Sequence, residues 1–368
     1  MRIAQVVPRG EQPWSGILTV IVHLASALVR RGHQVVVLQL HEWSPGLYAE
    51  QQRLLEESGV TQVRLHAARR LGRATARSVE EHGVDVAHLH GAFNVSNTAV
   101  SRSLRCPYVF SPHSGYDPVS LRRSRGRKLV YSVVFERAML RRAALLVALT
   151  DIELTDIRKF GGAGPSAVIP NGVEPAPHDL DRHAFRRELG IGPDAYLAVF
   201  VGRLDVRRKG LDVLVRGIAE APGWHLALVG PRFRDVDRLE RMISGLGVGE
   251  RVRLVGERRG RSLHEAVAAA DLFTLLSRWE GLPMSLLEAL ALATPAVVSP
   301  AVERLIGVDR AGAGWVVTPD DLGPLLRRLA REELVRRGRR ALELSRGYDW
   351  DSVAERYEAA YRRALGST

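Results

Sequence analysis

Short apolar runs alternate along the chain with longer stretches in which apolar positions recur every three or four residues. The first pattern predicts strands and the second amphipathic helices; their alternation predicts an α/β architecture on parallel sheets. In the first half the predicted strands are 3–7, 35–40, 63–66, 86–90, 108–111, 145–149 and 167–169. The clearest helix spans 16–31, with Gly32 as its stop. The same pattern restarts at 197–201 and continues with strands at 226–229, 252–254, 272–275, 296–298 and 315–317. Residues 171–194, rich in Pro, Gly and charge, read as a connection with one short helix. Two Rossmann-like, doubly wound domains facing across a cleft are therefore expected, with ligands beyond the carboxyl ends of the strands. The expected limits are 1–172 and 173–347, with a last helix in 348–368 crossing back to the first domain.

Composition narrows the class. A chain of 368 residues with 46% hydrophobic positions suits two domains with substantial cores. No apolar run approaches the ~18–20 residues of a membrane span. The opening MRIAQVVPRG carries no signal-peptide hydrophobic region and reads as a first strand. The single cysteine, Cys106, excludes an internal disulfide and fits a reducing cytoplasm, so a cytoplasmic protein is expected. The net charge is +12, with lysine only at Lys128, Lys159 and Lys209 and arginine supplying the rest. That excess suits an anionic small ligand, an anionic membrane or nucleic acid. Nucleic acid is not expected as a partner, because no aromatic-interleaved basic patch or metal-finger spacing is present.

The most informative chemistry lies in SRWEGLPMSLLEALALATP, from Ser277 to Pro295. Glu280 follows a predicted strand, Gly281 and Pro283 break the chain, and Glu288 falls on the apolar helix predicted over 284–293. A carboxylate accepts two or more hydroxyl hydrogen bonds, which suits a sugar. The helix start between the two acids offers free N–H groups and a positive dipole end, which suit a phosphate. A basic counterpart, VFVGRLDVRRKGLDVL, spans Val199 to Leu214. Its strand ends at Gly202, Arg203 and Lys209 follow in an Arg-rich loop, and Gly210 opens a helix. Arg supplies a planar fork and Lys a mobile point charge for phosphate oxygens. Neutralising a departing pyrophosphate in this way is electrostatic catalysis.

With these pieces in view, the chain resembles the retaining glycosyltransferases of the GT-B class, family 4 type. The resemblance rests on Gly202-Arg203 with Lys209-Gly210, on Glu280-Gly281 with Glu288-Ala289, and on Pro170-Asn171-Gly172-Val173. Ser111-Pro112-His113 in the first half, and Trp350 with Tyr357 and Tyr361 near the end, complete it. It implies transfer of a sugar from a nucleoside diphosphate donor, UDP- or GDP-linked, to a hydroxyl acceptor in polysaccharide, glycolipid or natural-product synthesis. It implies no metal and no other cofactor. It makes Arg203 and Lys209 the diphosphate contacts, Glu288 the ribose acceptor and Glu280 the partner of the donor sugar. The amides of Gly281 and Leu282 would orient that sugar, and those of Ser285 and Leu286 would meet phosphate. Gly16 would let the backbone approach the donor phosphate, although the family often has two adjacent glycines where this chain has Ser15-Gly16. His113 would contact the sugar, with Glu280, Arg203 and Lys209 as the other catalytic residues.

Other features carry competing readings. His88 and His90 share one strand face, and structure or acceptor contact is favoured over metal because no third ligand stands at the right spacing. The run Arg122–Lys128, before a helix predicted over 129–140, reads as a solvated face or as a contact with an anionic membrane or phosphorylated acceptor. Thr150 and Glu153 form a capping-box pattern. Asp235-Val236-Asp237 spells a metal-binding motif of other transferases, but opens an amphipathic helix predicted over 236–246, where acids favour the dipole. No dinucleotide fingerprint, P-loop or nucleophile elbow is present. A GT-B nucleotide-sugar epimerase and a non-catalytic binding subunit remain open beside the transferase.

Overall fold

The computed structural model describes residues 1–10, 16–41, 48–65, 70–118, 121, 131 and 135–366. Ser15, His66 and Arg122–Lys128 lie outside them. So do 129–130 and 132–134 of the helix predicted over 129–140, where the described helix is Arg137–Arg142. The chain divides into two compact units, Met1–Gly172 with Trp350–Thr368, and Val173–Asp349.

Among the described residues the first unit holds one sheet: β1 (Arg2–Val7), β2 (Gln34–Gln39), β3 (Thr61–Arg64), β4 (Val86–His90), β5 (Tyr108–Ser111), β6 (Leu145–Ala148) and β7 (Ser166–Val168). Their spatial order is β3-β2-β1-β4-β5-β6-β7, and every recorded pairing is parallel. The strands read as near-continuous apolar runs because both faces are covered. Alternate residues serve the two faces. Ile3, Val35, Val86 and Val109 pack with the helices Gly16–Arg30 and Trp350–Ala364. Ala4, Val36, Ala87 and Phe110 pack with Val79, Val100, Leu140 and Ile157 from helices on the opposite face.

The helix Trp350–Ala364 belongs to this unit although it is last in sequence. Tyr357 and Tyr361 are fully buried, and Tyr361 Oη accepts a hydrogen bond from Gln5 Nε2 at 2.9 Å. Trp350 stacks on His23 with ring centroids 5.6 Å apart. A Cβ on Gly172 would lie 2.4 Å from the Trp350 ring, so the chain leaves the unit through a residue only glycine can supply. Arg30 pairs with Asp351 on the surface at 3.0 Å, and Arg31 pairs with the largely buried Glu358 at 2.9 Å.

The second unit contains β8 (Tyr196–Val201), β9 (Trp224–Val229), β10 (Val252–Gly256), β11 (Leu272–Leu275), β12 (Ala296–Val298) and β13 (Gly314–Val316). The order is β10-β9-β8-β11-β12-β13, again parallel throughout. Strand order reverses direction between β1 and β4 in the first sheet and between β8 and β11 in the second. At such a point neighbouring connections run to opposite faces and leave a crevice at the carboxyl ends. Among the described residues no helix is long and apolar enough to cross a membrane.

Truncating Tyr357 to Ala removes a large, fully buried ring. The expected loss is about 3–5 kcal/mol of the first unit's stability, measured as a lower urea midpoint for the Tyr357→Ala chain. An unchanged midpoint would mean that the last helix does not anchor this unit.

Candidate functional site

In the second unit the predicted residues collect at the carboxyl ends of β8 and β11. After β8 the chain turns at Gly202, and the exposed Arg203 lays its guanidinium over Phe233, 5.2 Å from the ring centre. Lys209 does not stand in a loop, as expected, but ends a single helical turn, Val206–Lys209. Asp205 caps that turn by accepting from Arg208 N at 3.1 Å. Gly210 closes it with φ 68°, and a Cβ there would sit 2.3 Å from the carbonyl oxygen of Leu276. The turn can therefore lie flat on the end of β11 only because residue 210 has no side chain.

That seating brings Lys209 onto Glu280, 71 positions away, in a direct ion pair between Nζ and Oε1. Ser277 Oγ donates to the same oxygen at 2.6 Å, and Arg208 stands 3.8 Å from Oε2 while stacking over Trp279 at 4.1 Å. The Glu280 side chain is only 6% exposed and Lys209 17%. Two charges this far from water need each other: removing one partner of such a pair costs about 3–5 kcal/mol. A second staple holds the same segments together. Arg278 N donates to Arg208 O at 2.8 Å, and the Arg278 guanidinium grips both oxygens of Asp212 at 3.0 Å.

The expected helix follows as Met284–Ala291, preceded by Pro283, which offers no capping side chain. The amide of Leu286, expected to face phosphate, instead donates to Pro283 O at 3.1 Å. The amides of Gly281, Leu282 and Ser285 have no intrachain acceptor among the described residues. Glu288 stands one turn further on, half-buried, and its carboxylate has no hydrogen-bond or ion-pair partner among the described residues. Burial pushes its carboxyl up to about 7. Among the described residues no hydrogen bond or ion pair joins it to the Lys209–Glu280 pair.

In the first unit Gly16 opens its helix at an exposed position, and no described atom lies within 4 Å of where a Cβ would stand. His113 follows β5 with φ 52° and Ser114 with φ 60°, both left-handed without being glycine. Two contacts hold this turn. His113 Nε2 lies 2.9 Å from His90 Nδ1, and Glu153 accepts from Ser114 N–H. Thr150 caps the helix Asp151–Phe160 by accepting from Glu153 N at 3.1 Å, as the pattern predicted. Glu153 does not complete the capping box: its other oxygen accepts from Leu149 N at 2.7 Å. Burial pushes the Glu153 carboxyl up to about 7 in spite of these bonds. His88 and His90 are fully buried and bonded within the unit. Among the described residues no cluster of three His, Cys, Asp or Glu is placed to hold a metal. Asp235 precedes the helix Val236–Gly245 and Asp237 pairs with Arg232 at 3.3 Å.

Several participants escaped the sequence reading. Arg208 and Trp279 sat inside the quoted motifs without distinction, and Ser277 stood three residues before Glu280. Gln5 was visible as a polar residue inside an apolar strand, a signal that went unused.

Two family models match the chain: Glycosyltransferase Family 4 over residues 14–176 and Glycosyl transferases group 1 over residues 195–331. A D-inositol 3-phosphate glycosyltransferase 1 of Catenulispora acidiphila is 32% identical over 325 residues, covering 80% of this chain and 76% of the relative. The D-inositol 3-phosphate glycosyltransferase of Actinosynnema mirum is 32% identical over 255 residues, covering 63% of this chain and 60% of its own length, short of two thirds. Among solved structures, sucrose-phosphate synthase from Thermosynechococcus elongatus superposes with a TM-score of 0.76 at 21% identity, with full coverage (100%) of both chains. Anabaena HepE in complex with UDP and glucose gives 0.77 at 21% identity, covering 98% of this chain and 99% of its own. These likenesses establish the fold.

A carboxyl raised from 4.5 to about 7 by burial binds its proton more tightly folded than unfolded. Its neutral form is accommodated below pH 4.5, and stability falls as pH rises from there through about 7. Glu288→Gln removes this fall. The melting temperature of the variant relative to the parent is expected to rise between pH 4.5 and pH 8; a constant difference would show that Glu288 is not desolvated. Gly210→Ala is expected to unseat the Val206–Lys209 turn, lowering the melting temperature and separating Lys209 from Glu280. A variant with the parent's melting temperature would contradict the close approach to Leu276.

Proposed function

Because the chain belongs to the group 1, family 4 glycosyltransferases, we propose that it moves a sugar from a nucleoside diphosphate sugar to a hydroxyl acceptor, with retention at the anomeric carbon. The observation that carries this reading is the corner where Arg203, Lys209, the buried Glu280 and the uncapped start of Met284–Ala291 gather at the carboxyl ends of β8 and β11.

In this reading Arg203, which has no anionic partner among the described residues, takes the diphosphate with its planar fork. Lys209 has three N–H donors and keeps Glu280 while turning another toward phosphate. As the bond to the leaving diphosphate breaks, its growing charge meets cations already in place, so no metal is called for. Ser285 N–H adds a donor at the helix start. Glu288, the unpartnered carboxyl, accepts from the ribose hydroxyls. Glu280 faces the sugar with its second oxygen, and Gly281 and Leu282 orient the sugar through their amides. In the first unit Gly16 leaves room for phosphate and His113 receives a sugar hydroxyl. The names of the relatives make D-inositol 3-phosphate the first acceptor to try, and the UDP in the HepE complex makes UDP-sugars the first donors.

Calorimetric titration with UDP, GDP, ADP and dTDP tests the donor site. One nucleotide is expected to bind, and Arg203→Ala to weaken it roughly 10- to 100-fold, the loss of a charge-assisted contact of about 1.5–3 kcal/mol. Folded protein that binds none of the four has no donor site here. With donor and acceptor together, the anomeric proton coupling of the product reports retention or inversion. Donor epimerised without an acceptor would assign an isomerase instead.

A further inference from the structure

Six polar side chains of the first unit form one continuous hydrogen-bonded chain. They are Gln5 on β1, His88 and His90 on β4, Ser111 ending β5, His113 just beyond it, and Tyr361 on the last helix. Gln5, His88, His90, Ser111 and Tyr361 are fully buried, and His113 alone is partly exposed. Burial holds His88 and His90 well below the ordinary imidazole range, with neighbouring histidines adding to the effect, and His113 down at about 4. All three rings are neutral at pH 7, and in a neutral imidazole one nitrogen donates while the other accepts.

The direction of every bond then follows from Gln5. Its amide nitrogen faces Tyr361 Oη at 2.9 Å and its carbonyl oxygen faces His90 Nε2 at 2.8 Å. A carbonyl oxygen can only accept, so His90 carries its hydrogen on Nε2. His90 Nδ1 is left with a lone pair, which must receive the hydrogen of His113 Nε2 at 2.9 Å. The opposite branch is consistent. Tyr361 Oη accepts from Gln5, gives its own hydrogen to His88 Nδ1 at 2.8 Å, and His88 Nε2 donates to Ser111 Oγ at 2.8 Å.

We propose that Gln5 and His90 are positioning residues that lock His113 as the Nε2–H tautomer, so that Nδ1 is presented as a hydrogen-bond acceptor to a hydroxyl of the bound ligand. The lock stands on the geometry of the network; only the identification of that hydroxyl as one on the donor sugar rests on the proposed function. A ring with so low an affinity for protons takes a hydrogen bond at Nδ1 and leaves the proton on the hydroxyl. The left-handed backbone of His113 and Ser114, pinned by Glu153, fixes the ring from the other side. A ligand hydroxyl donating to Nδ1 therefore meets an acceptor with no competing tautomer, and an analogue lacking that hydroxyl leaves the acceptor unmet.

Nitrogen-15 NMR of the histidine side chains reads the tautomer directly, with His113→Asn assigning the signals. At pH 7.5 the expected spectrum shows His113 protonated at Nε2 and bare at Nδ1. Protonation at Nδ1, or an imidazolium, overturns the proposal. In Gln5→Leu the single tautomer is expected to become a mixture; a His113 that stays purely Nε2–H shows that Gln5 does not set it. Should that variant fail to fold, the wild-type spectrum decides alone. With a turned-over sugar donor, folded Gln5→Leu is expected to lose about tenfold in kcat/KM while the matching free nucleoside diphosphate binds as before, because it lacks the sugar. An equal loss of affinity for that nucleoside diphosphate would assign Gln5 a merely structural role. The expected tautomer in a protein that turns over no sugar nucleotide keeps the lock and removes the proposed function, whereas the wrong tautomer in an active transferase removes the lock alone.

Discussion

A carboxyl group taken out of water needs a cation, hydrogen-bond donors or a proton, and the second unit is arranged to give Glu280 the cation. The turn Val206–Lys209 exists to deliver one. Asp205 starts it, Gly210 ends it in a conformation and a space open to glycine alone, and the Arg278–Asp212 fork clamps it to the segment that carries Glu280. Lys209 is held in position by its pair with Glu280 without any ligand, so the phosphate of the proposed donor would meet an ordered charge and little ordering would be left for the moment of binding. Arg208, stacked on Trp279, stands 3.8 Å from the other oxygen of Glu280 and adds a second cation beside it.

The first unit handles buried polarity differently. Instead of opposed charges it uses neutral imidazoles, an amide, a phenol and a hydroxyl passing hydrogen bonds along one line. Each buried link is satisfied by the next, which is the condition under which a buried polar network rigidifies a core and does not weaken it. The two units thus present different chemistry: the second meets charge with charge, and the first offers a directional acceptor with little affinity for a proton.

The strands were legible because a parallel sheet covered on both faces needs uninterrupted apolar runs, and each predicted strand has a counterpart in the sheets. Helix limits held to within a residue or two where a glycine stops the chain, as at Gly32. The single turn Val206–Lys209 was missed because four residues carry no periodicity; only its cap, Asp205, and its end, Gly210, mark it. The Lys209–Glu280 pair spans 71 positions and the Gln5–Tyr361 bond 356, and neither separation leaves a local trace. Glu153 misled for a related reason. Its spacing from Thr150 is that of a capping box, but the turn at Ser114 offers its carboxylate an N–H that the local pattern does not show.

That turn has a counterpart. Phe93, beyond β4, is left-handed at φ 56°, and its N–H donates at 2.8 Å to the buried Glu136, which also accepts from Tyr116 Oη at 2.7 Å. Ser114, beyond β5, is left-handed at φ 60°, and its N–H donates to the buried Glu153. A non-glycine residue in this region costs on the order of 1–3 kcal/mol, and each is offset by a carboxylate accepting its amide. Burial raises both carboxyl groups above their ordinary range, a second cost at the same two places. Most left-handed positions among the described residues are filled by glycine, which would have avoided both costs. Glycine would also have left the loops beyond β4 and β5 free to move, and the ring of His113 could not then keep its one direction toward His90. Strain placed at the carboxyl ends of the strands, and pinned there by buried acids, is how this unit holds a neutral acceptor in a fixed orientation.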